Sequence, residues 1–158
     1  MLSEESLKKA FGAVWRRFME FEITRSRMMA DVAGNPVSAL ILQVVAYHNL
    51  TLIQVGVKNQ HYSNIREGWE LSENHSANVL PKKLSYAAIS DMTGFDKETV
   101  RRSVKKLEEH GWLSIDSKTG INYKPLTSNQ DKLLMFNEWE IAQLGRLLKR
   151  VNDFQDTE

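Results

Sequence analysis

"LSYAAISDMTGFDKETVRRSVKKLEEHGWLSID", residues 84–116, contains the signals of two short helices joined by a turn. Ser85 is a favourable N-cap for a short helix, because its hydroxyl can accept a hydrogen bond from an otherwise unpaired backbone amide. Gly94 is expected to end this helix, since glycine adopts the left-handed conformation at a helix C-terminus without strain. Phe95 is expected to fill the corner that follows. The apolar positions of the short helix recur at helical spacing and are Leu84, Ala88, Ile89 and Met92.

A second, longer helix is predicted after this corner, with Asp96 as its N-cap. One face of this helix is apolar and is formed by Val100, Val104 and Leu107. Another face is basic, with Lys97, Arg101 and Lys105 one turn apart and Arg102 at its edge. Two helices joined by a glycine-containing turn, the second of them basic, are the helix-turn-helix arrangement, whose second helix lies in the major groove of DNA. The alternative is that the basic residues only solvate the surface and pair with the acids of the same helix, which are Glu98, Glu108 and Glu109.

A hairpin is predicted after the second helix. Gly111 ends the helix, and residues 112–116 alternate apolar and polar side chains as a short strand does. The sequence SKTG, residues 117–120, is typical of a turn. Residues 132–136 are the first candidate for the returning strand, which would give the hairpin a long polar tip. Residues 121–126 are the second candidate, and Pro125 would then lie at the sheet edge. Either pairing predicts a wing beside the two helices.

Long helices are predicted on both sides of this unit. Asn35 and Pro36 mark the start of a central helix that runs to about Ile53, because asparagine is a good N-cap and proline suits the first helical position. Asn137 with Glu140 three residues later fits a capping box for a C-terminal helix. The apolar stripe of that helix consists of Ile141, Leu144, Leu147, Leu148 and Val151. An amphipathic N-terminal helix carries Leu7, Phe11, Val14, Phe18 and Phe21 at helical spacing.

The predicted fold is therefore mainly α with a small β-hairpin wing, a winged helix-turn-helix with long N- and C-terminal helices. We expect an N-terminal helical arm at residues 1–35 and a DNA-binding domain at residues 36–136. Residues 54–81 form an irregular insert in that domain, with one short helix near residues 65–71. A C-terminal helix is expected at residues 137–158.

The composition limits the class of protein. The 158 residues include no cysteine, which excludes disulfides, thiolate metal sites and cysteine nucleophiles and suits a reducing cytoplasm. The N-terminal segment has acidic residues where a secretory signal has basic ones, so export is not expected. Residues 37–57 lack charge over a length that could span a bilayer. Polar residues interrupt this run and favour a helix buried in protein, not in a membrane; they are Gln43, His48, Asn49 and Gln54.

The charge is unevenly distributed along the chain. The net charge is only +1, but residues 82–124 together carry +3 and the rest of the chain carries −2. This local excess is a modest indication of a nucleic-acid partner.

Residues 84–116 resemble the winged helix-turn-helix of prokaryotic transcription regulators, above all in ETVRRSVKKLEEHGWL, residues 98–113. The long terminal helices are similar to the dimerising arms of the MarR-like group. The resemblance implies a dimer that binds double-stranded DNA. The chain departs from that group in its long insert and in its wing, which has Lys118 and Lys124 but no arginine. The terminal helices offer more apolar surface than one small domain can cover, and the expected dimer contacts are Phe11, Phe18, Leu144 and Leu148.

In this interpretation, base edges are contacted by Arg101, Arg102 and Lys97. Phosphates are held by Lys82, Lys83, Ser85 and Lys105, and the flanking backbone is contacted by Lys118 and Lys124. A small-molecule effector is a further candidate partner, in a pocket lined by Trp15, Phe18, Phe21, Met28, Met29 and Trp69. The alternative is that these aromatic and methionine side chains are ordinary core.

No enzyme activity, cofactor or metal is expected. The sequence has no phosphate-binding loop pattern and no serine nucleophile elbow. The four histidines are His48, His61, His75 and His110, and none pairs with another at the spacing of metal ligands on a helix. Two other functions stay open beside transcription regulation: a winged domain that docks proteins, and a plasmid or phage replication or partition factor.

Overall fold

The computed structural model describes residues 4–56, residue 67 and residues 83–153. The described part is mainly helical and contains a small antiparallel hairpin, as the sequence predicts. Its elements are α1 (Glu4–Lys9), α2 (Phe11–Ala33), α3 (Pro36–Gly56), α4 (Tyr86–Thr93), α5 (Lys97–Glu109), β1 (Leu113–Asp116), β2 (Gly120–Tyr123) and α6 (Thr127–Asp153). The predicted insert lies outside the described residues, except for its first residues, which belong to α3, and Glu67, which is helical.

The central helix is confirmed. The Asn35 side-chain oxygen accepts a 2.9 Å hydrogen bond from the Ser38 amide, so Asn35 is the N-cap of α3. The helix contacts α2, α4, α5 and β2, and its buried face includes Ile41, Leu42 and Val45. Of the described helices, only α3 is long and apolar enough to cross a membrane, with a mean hydropathy of 1.4 over a window in Pro36–Gln54. The face of α3 that packs in the core contributes to this apolar composition.

The two-helix unit folds as predicted. Ser85 caps α4 through a 3.2 Å hydrogen bond from the Ala88 amide, and Gly94 ends the helix with a φ of 76°. The predicted inward positions of α5 are buried in one core with α3 and the hairpin; they are Val100, Val104 and Leu107. Phe95 packs against the same core from the corner between α4 and α5.

The hairpin is shorter than the first candidate pairing predicts. Leu113 pairs with Tyr123 and Asp116 pairs with Gly120, so the returning strand is β2 and not residues 132–136. The second candidate, residues 121–126, is correct for its first three residues, while Pro125 follows the strand. The turn explains the early return, because the Asp116 carboxylate accepts hydrogen bonds from the amides of Lys118, at 2.7 Å, and Thr119, at 2.8 Å.

A contact that the sequence does not predict ties the hairpin to the segment before α4. Leu84 forms an isolated parallel bridge with Gly120, and the Ile121 amide donates a 3.1 Å hydrogen bond to the Leu84 carbonyl. The hairpin and the N-terminus of α4 are therefore held together by backbone hydrogen bonding.

The C-terminal helix starts ten residues before its predicted start at Asn137, since α6 is Thr127–Asp153. The predicted start of this helix and the predicted capping box are both wrong. Asn137 lies inside the helix, and Glu140 instead accepts a 2.6 Å hydrogen bond from Arg25 of α2. The apolar run at residues 133–136 becomes helical because Phe136 is buried against α2 and α3.

The helices α2 and α6 pack side by side in opposite directions. Phe136 joins a buried cluster with Met29, whereas Trp139 stacks on Phe21 with ring centroids 5.9 Å apart. The two helices are therefore antiparallel, because later residues of α6 contact earlier residues of α2. The predicted terminal arms form one antiparallel helix pair, whose inner end packs against α3.

Candidate nucleic-acid interface

The start of α5 is held by a strong cap. One Asp96 carboxylate oxygen accepts a 2.9 Å hydrogen bond from the Thr99 amide, and the other accepts a 2.6 Å hydrogen bond from the Thr99 hydroxyl. These hydrogen bonds hold the pKa of the Asp96 carboxyl below its ordinary value, and the one from the Thr99 hydroxyl has the larger effect. The Ser90 hydroxyl of α4 donates a 2.6 Å hydrogen bond to the Phe95 carbonyl. The direction in which α5 leaves α4 is therefore set by several local hydrogen bonds and by the packing of Phe95.

The face of α5 that does not pack against the core is basic. Lys97, Arg102 and Lys105 are exposed, and the Arg101 side chain is 43% exposed. These four residues are the ones that the sequence predicts on the basic face, and the structure places them on consecutive turns of one solvent-facing surface. Lys97 lies in the first turn, at the end nearest the α4 corner. We call these four residues the basic face.

An acidic residue lies among these cations. Glu98 accepts hydrogen bonds from Arg101 through both carboxylate oxygens, from Nη2 at 2.6 Å and from Nε at 2.8 Å. The Arg102 Nε lies 3.7 Å from the same carboxylate. The hydrogen bond with Arg101 lowers the pKa of the Glu98 carboxyl and raises the pKa of the Arg101 guanidinium. Glu98 therefore pairs with a basic residue of its own helix, Arg101. Glu108 instead accepts a 3.1 Å hydrogen bond from the Ile115 amide of β1.

Further cations lie on or next to the hairpin. Lys118 lies exposed in the turn and Lys124 lies exposed directly after β2. Lys83 donates a hydrogen bond from Nζ to the Ser117 carbonyl, so its ammonium group lies against the hairpin turn. The Ser85 hydroxyl accepts the N-cap hydrogen bond of α4. Lys82 lies outside the described residues.

The described residues that are expected to line an effector pocket are spread along α2. Met29 belongs to the buried cluster that contains Phe136, and Met28 packs against that cluster. Phe21 stacks on Trp139. Trp15 stacks on Phe18 with ring centroids 5.1 Å apart, in the exposed half of the helix. Trp69 lies outside the described residues. The described members of the set contact other side chains of α2 and α6, and the effector pocket stays a prediction.

Neither of the two described histidines belongs to the basic face. His48 is half-buried in α3, and desolvation lowers its pKa. His110 is the C-terminal cap of α5, where its Nδ1 lies 2.6 Å from the Lys106 carbonyl. His61 and His75 lie outside the described residues. Within residues 4–56 and 83–153, no three histidine, aspartate or glutamate side chains form a group that could hold a metal ion.

Comparison with known proteins finds no matching family model, no matching curated protein and no matching solved structure. The interpretation of the site therefore depends on its residues and their geometry.

Proposed function

We propose that this chain is a cytoplasmic regulator of transcription that binds double-stranded DNA through a winged helix-turn-helix, with α5 as the recognition helix. The observation that carries the proposal is the basic face, which α5 presents to solvent while its opposite face is fixed in the core. A helix of 13 residues is about 20 Å long, which suits the major groove.

The order of the elements supports this assignment. A buried helix, α3, precedes the α4–turn–α5 unit, and the hairpin of β1 and β2 follows it directly. The Leu84–Gly120 bridge holds the hairpin beside α4, so its turn is available as a wing that flanks the recognition helix. The packing of all these parts on α3 would present α5 and the hairpin turn to DNA as one rigid surface.

The proposal assigns a contact to each side chain. Arg101, Arg102 and Lys97 are assigned to base edges, and Lys105 to a phosphate. Ser85 accepts a hydrogen bond as the N-cap, which leaves its hydroxyl hydrogen free to donate to a phosphate. Lys83, Lys118 and Lys124 are assigned to the DNA backbone on the side of the wing, and Lys82 keeps its assignment to a phosphate.

We also propose that the chain acts as a homodimer. The outer part of α2 carries exposed apolar side chains at spacings of four residues, namely Phe11, Trp15, Met19 and Ile23. The outer part of α6 carries Ile141, Leu144 and Leu148, which are also exposed. Apolar surface of this extent is typical of a protein interface, and a second copy of the chain would place two recognition helices on one side of the duplex. Phe18, the fourth predicted contact, is half-buried beneath Trp15.

The proposal is tested by selecting bound fragments from genomic DNA and measuring the affinity for a selected site and for random DNA at several salt concentrations. Arg101→Ala should weaken binding to the selected site by about 1 to 3 kcal/mol and should affect random DNA less, because a guanidinium can grip guanine through two hydrogen bonds. Arg101→Lys is the matched control, since it keeps the charge but removes the planar fork. It should restore binding to random DNA and not the preference for the selected site.

Two outcomes would favour the other functions. If neither variant changes DNA binding while circular dichroism shows an intact fold, α5 is not a recognition helix and a protein-docking domain becomes the better hypothesis. If the selected fragments come from a replication origin or a partition site and not from promoters, the chain is a replication or partition factor.

A further inference from the structure

Glu98 occupies an unusual position for an acid on a surface that is proposed to face DNA. It lies in the first turn of α5, and its two carboxylate oxygens engage two donors of Arg101. Arg102 lies close to the same carboxylate. In the free protein, the guanidinium proposed to contact a base is therefore already paired.

This pairing imposes a cost when Arg101 contacts a phosphate. A charge-assisted, two-point hydrogen bond is stronger than a neutral one, although water screens it here because the side chains of Arg101 and Glu98 are 43% and 54% exposed. When Arg101 moves to a phosphate, Glu98 loses its partner and its carboxylate is left beside the negatively charged backbone. Like charges at short range repel each other, so contact with a phosphate alone is disfavoured.

A matching base sequence removes this cost. A carboxylate can accept a hydrogen bond from the exocyclic amino group of cytosine in the major groove, and an arginine can donate two hydrogen bonds to guanine. Glu98 and Arg101 lie three residues apart, so they project from adjacent positions of one helix face. Both groups would be satisfied where a cytosine amino group lies next to the guanine that Arg101 contacts.

We propose that Glu98 is a specificity-determining residue, which restrains Arg101 in the free protein and accepts a hydrogen bond from a cytosine amino group at the correct site. This inference rests on the proposed DNA-binding function. Its consequence is that Glu98 weakens binding to most DNA sequences while it preserves binding to the matching one. The ratio between the affinities for the selected site and for random DNA then depends on Glu98.

The experiment compares Glu98→Gln with Glu109→Gln. Both changes remove one negative charge from α5, but Glu109 lies in the last turn, about 16 Å further along the helix axis. The affinities of the wild type and of both variants are measured for three DNAs: the selected site, the same site with the cytosine next to the Arg101 guanine replaced, and random DNA. Glu98→Ala is a second variant that has no side-chain amide to make new hydrogen bonds.

We expect both Glu98 variants to bind random DNA more tightly than the wild type does. The ratio of the affinity for the selected site to that for random DNA should fall about tenfold, as is usual for the loss of one base contact. The cytosine replacement should weaken wild-type binding and have little effect on the Glu98 variants. Glu109→Gln should tighten binding to all three DNAs by the same factor. If the Glu98 variants behave like Glu109→Gln, Glu98 acts only through net charge and the inference is wrong.

The failure of the inference can be distinguished from failure of the proposed function. If the wild type and all variants lack salt-dependent DNA binding, both are overturned. If the wild type binds DNA and its preference does not depend on Glu98, only the inference is overturned. Restraint of Arg101 is checked without DNA by nuclear magnetic resonance, because the Arg101 Nε–Hε signal should shift and exchange faster with water in Glu98→Gln than in Glu109→Gln.

Discussion

Single residues decide how the hairpin meets the rest of the fold, and Gly120 is the clearest case. Its φ is 85°, which is in the left-handed region. A Cβ atom at this position would lie 2.6 Å from the Leu84 carbonyl oxygen, and 2.6 Å from the Lys83 Cγ. Glycine is required here both because of its backbone conformation and because another backbone segment lies so close.

Gly120→Ala should destabilise the protein by about 2 to 4 kcal/mol, because the added Cβ atom imposes strain on the left-handed backbone and overlaps the Leu84 carbonyl. Gly145→Ala is the control. Gly145 lies inside α6, and a Cβ atom added to it would have no side chain, and no backbone beyond the adjacent turns of the helix, within 4 Å. That change should stabilise the protein by about 0.5 to 1 kcal/mol. Urea denaturation measures both values, and an equal effect of the two changes would contradict the close approach of Leu84.

At the scale of elements, the start of α5 depends on an ionised carboxylate. The folded-state pKa of Asp96 is depressed by its hydrogen bonds with Thr99, so the cap stabilises the fold above the pKa of the unfolded chain. Its contribution is lost as the pH falls through the folded pKa. The carboxyl of Asp116 follows the same rule, since the amides of Thr119 and Lys118 lower its pKa.

The melting temperature of the wild type should therefore fall below about pH 4, where aspartate begins to take up protons. Asp96→Asn should give a flatter curve in this range, because asparagine is a good N-cap that does not titrate. Asp91→Asn removes an exposed carboxylate from α4 without changing a cap, and it should follow the wild-type curve. Identical curves for Asp96→Asn and the wild type would mean that the ionised cap does not stabilise α5.

At the scale of the whole molecule, the outer halves of α2 and α6 leave apolar side chains in solvent. Phe11 is 58% exposed and Leu148 is 53% exposed, although both belong to helices whose other ends are buried. Toward the inner end, Arg25 donates hydrogen bonds to Glu140, at 2.6 Å, and to Gln43 of α3, at 2.8 Å. These contacts orient the helix pair relative to the core.

Light scattering at tens of micromolar should therefore give a mass of twice 18.2 kDa for the wild type. Leu148→Glu should give the monomer mass, because it places a charge in the proposed interface. Met135→Glu is the control: Met135 is 74% exposed on α6, but it lies on a different side of that helix from Ile141, Leu144 and Leu148. A homodimer through this surface is overturned if the wild type is monomeric. It is also overturned if the Leu148→Glu variant still dimerises.

The two-helix unit, the start of α3 and the basic face could be predicted from the sequence because their signals are local. A cap bonds to an amide three residues away, and glycine at a helix end needs only its own backbone freedom, as Ser85, Asp96 and Gly94 show. Pairing of the basic residues with Glu98 was the alternative that the sequence offered, and the Glu98–Arg101 pair follows from the same kind of local signal, since the two residues are three positions apart and their side chains are complementary.

Residues 127–136 show what the sequence alone does not determine. A short apolar run such as Leu133 to Phe136 fits a buried helix and a buried strand equally well, and its secondary structure depends on what it packs against. Here the Asp116 turn already returns the chain through β2, and Met29 and Ala39 bury Phe136 on a helix. For the same reason Glu140 pairs with Arg25 and does not form a cap. Capping and helical spacing are encoded within a few residues, whereas the choice between helix and strand in this segment depended on contacts between parts of the chain far apart in sequence.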